Sequence, residues 1–271
     1  LISFLNTKEN IMKKNLFKAL SLLMAGALCI TLTGCGSGDN TADENVVTYK
    51  AITEATFPPF DTTDDNGNIV GFDMDLMNAI GEDQGFKVEY TDMAFDSLIP
   101  ALESGQADMI TAGMNAEDPE RQKKVDFSDT YYDSGLVVVV KSDNNTITGF
   151  DSLNNTMKVA SQNGTTGGDK ANELQTAGKI ASATILDKFS DAMLQLDNGD
   201  VDAVIIDKPV AEAYIKKQEG KAKIVGDVLN AESYGFAVQK GNTELLNKIN
   251  AGLKNLKENG KFDELLAKWF D

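Results

Sequence analysis

Histidine is absent from all 271 residues, arginine occurs once and cysteine twice. Without imidazole the chain has no Ser-His or Cys-His catalytic pair and no histidine-ligated metal site. Cys29 and Cys35 both sit near the amino terminus, so the sequence beyond them has neither a disulfide nor a thiol nucleophile. No cofactor and no metal are expected. Acidic side chains outnumber basic ones by 42 to 25, a balance that argues against nucleic acid and anionic membrane surfaces as partners.

Long apolar runs are also scarce. The clearest, Ala19–Leu32, follows the basic stretch Met12-Lys13-Lys14-Asn15-Leu16-Phe17-Lys18 and is short for a membrane span. Together they read as an export signal within residues 1–34, with residues 1–11 as translated sequence upstream of a start at Met12. The run closes on Leu32-Thr33-Gly34-Cys35, which resembles a bacterial lipobox. That resemblance implies cleavage before Cys35, a diacylglycerol on its thiol, and a hold on the cell membrane through lipid alone. Residues 1–34 carry four lysines and one glutamate, so the chain from Cys35 onward keeps 21 basic and 41 acidic side chains, a net charge of −20. Residues 35–45 are small and polar without periodicity, which suits a flexible tether.

What is present beyond the tether is an alternation of helix and strand patterns. A chain of 271 residues, 42% hydrophobic, exceeds what one core usually serves, so two lobes are expected. Residues 46–52 alternate as a strand, and Phe57-Pro58-Pro59-Phe60 must leave strand geometry. Asp73 is expected to cap a helix with Leu76, Met77 and Ile80 on one face, stopped by Gly85. From Phe95 the pattern repeats: Phe95, Leu102, Gly105, Asp108 and Ile110 recur 94 positions later as Phe189, Leu196, Gly199, Asp202 and Val204. Each unit reads as helix, glycine stop and strand (108–112 and 201–206), either as a true duplication or as the common grammar of such units. The offset sets Gly113 opposite Asp207 at the carboxyl ends of their strands, where parallel sheets bind ligands.

Between the units, residues 135–140 and 157–160 read as strands, and Gly164-Thr165-Thr166-Gly167-Gly168 leads into a helix from about Asp169. Backbone amides of such a loop can bind an anion, carboxylate or phosphate. Residues 209–217 and 243–259 read as helices, Gly260 breaks the second, and a last helix runs from Phe262 to Phe270. A strand over 233–239 returns the chain to its first lobe. The resulting boundaries are 46–130 plus 236–271 for one lobe, 136–230 for the other, and 131–135 with 231–235 as the hinge.

Arg121 is the one arginine, against twenty-four lysines. Its planar five-donor fork grips a carboxylate bidentately, which an ammonium cannot do.

Taken in order, Phe57-Pro58-Pro59-Phe60, Val70-Gly71-Phe72-Asp73-Met74-Asp75-Leu76, Asp96-Ser97-Leu98-Ile99-Pro100-Ala101-Leu102, Pro119-Glu120-Arg121, Val125-Asp126-Phe127-Ser128, Tyr131-Tyr132 and Lys268-Trp269-Phe270 resemble the family 3 polar amino-acid-binding lipoproteins of ABC importers, of the glutamine and arginine type. The resemblance implies an α/β, two-lobed periplasmic-binding-protein fold of type II, with two mostly parallel sheets flanked by helices and joined by a two-strand hinge. It implies capture of an L-α-amino acid of the glutamine, arginine or lysine class and delivery to an ABC permease, as a monomer and not as an enzyme.

By the same resemblance, Arg121 clamps the ligand carboxylate with amides of Gly164, Thr165 and Thr166, and Asp207 holds the ammonium beside the Gly113 carbonyl. Phe57 and Phe95 sandwich the side chain, whose polar end meets Glu54 and Gln162. The chain departs from the family between Gly113 and Arg121, where one extra residue and Asn115-Ala116-Glu117-Asp118 replace a hydroxyl residue. Asn115 can still accept or donate in the site, and the insertion leaves open whether Glu117 points inward. The alternatives are an enzyme on the same scaffold, a dehydratase of prephenate-like acids, and an amino-acid sensor lipoprotein.

Overall fold

Two five-stranded sheets carry residues 46–271, the part of the chain described by a computed structural model. The expected signal, Cys35 and the tether lie outside the described residues. In chain order the first stretch comprises β1 (Val47–Thr53), β2 (Thr62–Thr63), β3 (Ile69–Val70), α1 (Phe72–Gln84), β4 (Phe86–Asp92), α2 (Phe95–Glu103), β5 (Met109–Ile110), α3 (Pro119–Lys124) and β6 (Val125–Phe127). The second comprises β7 (Tyr132–Ser134), β8 (Leu136–Lys141), β9 (Lys158–Gln162), α4 (Thr166–Thr176), β10 (Ser182–Leu186), α5 (Phe189–Asn198), β11 (Ala203–Asp207), α6 (Lys208–Lys217) and β12 (Ala222–Val225). β13 (Glu232–Tyr234), β14 (Ala237–Gln239), α7 (Thr243–Asn259) and α8 (Lys261–Phe270) complete it.

The sheets share one plan. Their orders are β4-β1-β5-β14-β6 and β10-β9-β11-β8-β12. In each, four strands run one way and one runs against them: β14 is antiparallel to β5 and β6, and β8 to β11 and β12. The reversed strands are those that follow a crossing between lobes. They start at the cleft edge and must run away from it, whereas the others arrive there with their carboxyl ends. The crossings are β7 and β13, which pair with each other, Tyr132 opposite Tyr234 and Ser134 opposite Glu232.

The two units related by the 94-residue offset are built alike, and Asp108 and Asp202 make equivalent hydrogen bonds to strand residues 108 positions apart. Lys50 donates its amide to Asp108 Oδ2 at 2.7 Å and accepts from the Asp108 amide at 2.8 Å; Lys158 does the same with Asp202 at 2.7 and 2.8 Å. Gly105 and Gly199 close their helix–strand connections at φ 76° and 81°.

Burial follows from this layering. Leu136 to Val140 of β8 are all buried because the sheet is covered on both faces. On the first lobe α7 packs on α1, and Gly252 lets them approach closely, since a Cβ there would sit 2.8 Å from Ile80 Cγ2. Trp269 and Phe270 of α8 are half-buried: the Trp269 indole donates to Asp75 Oδ2 at 2.7 Å, and Phe270 stacks on Tyr132 at 4.8 Å.

Four local expectations are corrected. α1 starts at Phe72 with Gly71 as its cap, so Asp73 is not a capping residue but a fully buried member of the first turn. α4 starts at Thr166, ahead of Asp169, because the Thr165 hydroxyl accepts from the Gly168 amide and caps it there. The strand expected over 233–239 is two strands, β13 and β14. Its midpoint is engaged elsewhere: the Ala116 amide donates to the Ser233 carbonyl and the Gly235 amide to the Met114 carbonyl. For the strand expected over 108–112, only Met109 and Ile110 pair as β5.

Candidate functional site

Five of the strands that end at the cleft, β1, β4, β5, β9 and β11, are followed by the polar and aromatic groups of the site. Glu54 and Phe57 follow β1, Phe95 opens α2 after β4, and Gly113, Asn115 and Arg121 follow β5. From the facing sheet, Gln162 ends β9, Thr165 and Thr166 open α4, and Asp207 ends β11. Nine of these residues, Phe57, Phe95, Gly113, Asn115, Arg121, Gln162, Thr165, Thr166 and Asp207, line one cavity of about 20 Å³, together with Glu232. That is room for about one water, so any larger guest has to part the lobes.

Arg121 reaches this cavity because α3 is fixed at its start. Pro119 occupies the first turn, and Asp118 Oδ1 accepts from the amides of Glu120 and Arg121 at 2.8 and 3.0 Å. The guanidinium lies 5.4 Å from the centre of the Phe95 ring and donates to the Asn115 carbonyl at 3.4 Å and, across the cleft, to the Gly164 carbonyl at 3.1 Å. Burial pushes its pKa down, opposed by Asp118, Glu232 and Asp207, and an arginine stays charged regardless. Two of five donors meet neutral carbonyls, so the charge and the rest of the fork remain for an anion. The segment before Arg121 closes in a turn, where Asn115 Oδ1 accepts from the Glu117 amide at 3.0 Å, and Glu117 is exposed.

Asp207 is the opposite pole. Its carboxylate is buried and accepts from the Tyr234 hydroxyl. Burial first, then the neighbouring Glu232, raises its pKa to about 7 against an ordinary 3.8, while Tyr234, Arg121 and Ser134 pull it down. Beside it Gly113 turns the chain at φ 49°, and a Cβ there would sit 2.7 Å from the Phe57 ring. The Gly113 amide donates to Asp73 Oδ2 at 2.8 Å, and that carboxylate also accepts from the Tyr131 hydroxyl at 2.8 Å. Burial raises Asp73 to about 7 as well.

Two predicted residues do not line the cavity. Glu54 stands behind it: Oε2 accepts from Gln162 Nε2 at 2.9 Å and both oxygens accept from the Thr56 hydroxyl. Gln162 Nε2 also donates to the Asp187 carbonyl at 2.9 Å, so its donors are taken and its amide oxygen is left to accept. Gly164 contributes its carbonyl to Arg121 from outside the lining. Glu232 was not anticipated. It is buried, accepts from Asn230 Nδ2 at 2.9 Å and the Thr166 hydroxyl at 3.2 Å, and burial raises its pKa. One more acid in an acidic chain, just before a strand pattern, carries no local signal.

A buried guanidinium facing buried carboxylates across two lobes suits a zwitterion. Residues 49–271 match the bacterial extracellular solute-binding proteins, family 3. The chain belongs to that family. Among its relatives, the arginine-binding extracellular protein ArtP of Bacillus subtilis is 34% identical over 93% of this chain and 98% of its own. Two solved structures, an ancestral arginine-binding protein bound to arginine and one bound to glutamine, are each 44% identical. Their TM-scores are 0.79 and 0.77, over 83% and 82% of this chain and 98% and 97% of theirs. The family 3 fold of this chain is therefore the two-lobed periplasmic-binding-protein type, and its place is extracytoplasmic.

Proposed function

We propose that this family 3 protein captures a free L-α-amino acid with a polar or basic side chain between its lobes and delivers it to an ABC permease. The observation that carries this is the pairing of buried Arg121 with buried Asp207 across one aromatic-walled cavity. A zwitterion moved from water into a closed cleft loses hydration at both charges, so each must meet an opposite charge. Arg121 takes the carboxylate; Asp207 and the Gly113 carbonyl take the ammonium; Phe57 and Phe95 flank the side chain. Gln162, held by Glu54, presents an acceptor to its polar end.

The ledger of charge, one arginine against Asp207, Glu232 and the backing Glu54, favours guanidinium, ammonium or amide side chains over carboxylates. Capture then proceeds by closure, with residues 131–135 and 231–235 as the hinge, and with Cys35 as the lipid attachment that keeps the protein beside its permease. The names of the relatives, arginine- and glutamine-binding, support the same class.

A thermal-shift screen of the protein against the twenty amino acids tests this. Arginine, lysine or glutamine at about 100 times its dissociation constant stabilises by about 2.7 kcal/mol. A screen with no hit, or one led by aspartate and glutamate, overturns the reading. Turnover of a prephenate-like acid without amino-acid binding reassigns the chain to an enzyme.

A further inference from the structure

Tyr234, on a strand that crosses between the lobes, contacts Asp207 directly and the loop leading to Arg121 through Asn115. Its hydroxyl donates to Asp207 Oδ2 of the second lobe and is hydrogen-bonded to Ser134 Oγ, 2.9 Å away on the other crossing strand. Its main chain pairs with Asn115 of the first lobe in an isolated bridge, flanked by the Ala116–Ser233 and Gly235–Met114 hydrogen bonds. Its carbonyl also accepts from the Tyr131 amide at 2.9 Å. Asn115 in turn offers its carbonyl to the Arg121 guanidinium. One residue therefore links the loop that leads to Arg121 with the carboxylate of Asp207, and it is fully buried, its ring packed against Phe57 and Phe60.

We propose that Tyr234 is a positioning residue for ligand capture: from the crossing strand its hydroxyl orients the Asp207 carboxylate toward the ligand ammonium, while its main chain fixes the loop carrying the carboxylate-binding arginine. This rests on the amino-acid-binding reading given above. Through Tyr234 the separation of the two poles is set by the crossing strands rather than by either lobe alone. The charged and titratable groups around Asp207 are Tyr234 and Glu232 from β13 and Arg121 from α3, with the Ser134 hydroxyl from β7. Tyr234 supplies the stronger of two hydroxyl hydrogen bonds to the ionised form, the other being from Ser134, so its loss makes Asp207 harder to ionise and leaves the ammonium with a weaker partner at a given pH.

Calorimetry of the amino acid that binds wild type, run from pH 5.5 to 8.5 on Tyr234→Phe, tests this, because phenylalanine keeps the ring contacts and deletes only the hydroxyl. The expected result is an affinity about tenfold or more weaker near neutrality, as for a hydrogen bond to a charged group, with the midpoint of the affinity–pH curve shifted upward. In an Asp207→Asn background the same change adds little. A wild-type midpoint in Tyr234→Phe, or full additivity in the double mutant, overturns the proposal. Wild type that binds no amino acid overturns the function instead, which separates the two failures. If Tyr234→Phe does not fold, 3-fluorotyrosine at 234, a stronger donor of similar size, replaces it: the midpoint then falls, and an unchanged midpoint counts against Tyr234.

Discussion

At the scale of the residue, the test of the site is Arg121→Lys. The substitution keeps one positive charge and removes the planar fork that donates to Asn115 and Gly164 and lies over Phe95. Loss of one charge-assisted hydrogen bond in a buried site costs about 1.5–3 kcal/mol, so calorimetry should show affinity lower by one to two orders of magnitude with the thermal midpoint little changed. Unchanged affinity would mean that the carboxylate is held elsewhere. Arg121 was legible in the sequence because it is singular. Asp73 was misread for the opposite reason: an acid at the start of an amphipathic pattern has the same local signature whether it caps the helix or, as here, reaches Gly113 forty positions away. Glu232 stayed hidden because nothing local separates a buried acid from the forty-one others in the chain.

At the scale of the element, closure depends on close approach between loops of different lobes. Gly164 sits at φ +74°, and a Cβ there would lie 2.9 Å from Cα and Cβ of Asp96 on the facing lobe. Next to it Asn163 donates to Asp96 Oδ2 at 2.8 Å, and elsewhere between the lobes the Tyr214 hydroxyl donates to the Thr56 carbonyl at 2.8 Å. Gly164→Ala should strain the loop by about 1–2 kcal/mol, lowering folding stability by about that much, and hold the lobes apart, lowering affinity about tenfold. Scattering of the ligand-saturated mutant should show a larger radius than wild type, and equal radii with equal affinity would refute the role of this contact.

Most elements were readable from period and punctuation, because α1, α5 and α7 each bury one stripe and stop at a glycine in the left-handed region. The reversed direction of β8 and β14 was not readable. It follows from where the chain crosses between lobes, and no stretch of a few residues encodes that.

At the scale of the whole molecule, the buried acids make stability and capture respond to pH with opposite signs. Burial raises Asp73 and Asp207 to about 7 from an ordinary 3.8, and raises Asp61, Glu54 and Glu232 as well. Each such group binds more protons folded than unfolded between these values. The stability it contributes is therefore complete below about 3.8 and is lost as pH rises through the folded value. The ligand-free protein should melt at a lower temperature at pH 8 than at pH 5. Capture runs the other way, since Asp207 must be ionised to meet an ammonium, and affinity should rise across the same window.

A net charge of −20 beyond Cys35 also disfavours the folded state as pH rises, so the two origins have to be separated. Surface repulsion is screened at about 0.5 M salt, where the Debye length is about 4 Å, whereas a buried carboxylate is screened far less. Melting curves in high salt should therefore retain the fall between pH 5 and pH 8, and Asp207→Asn should reduce it. A slope abolished by salt, or left intact by Asp207→Asn, would place its origin on the surface and remove Asp207 from the account of pH.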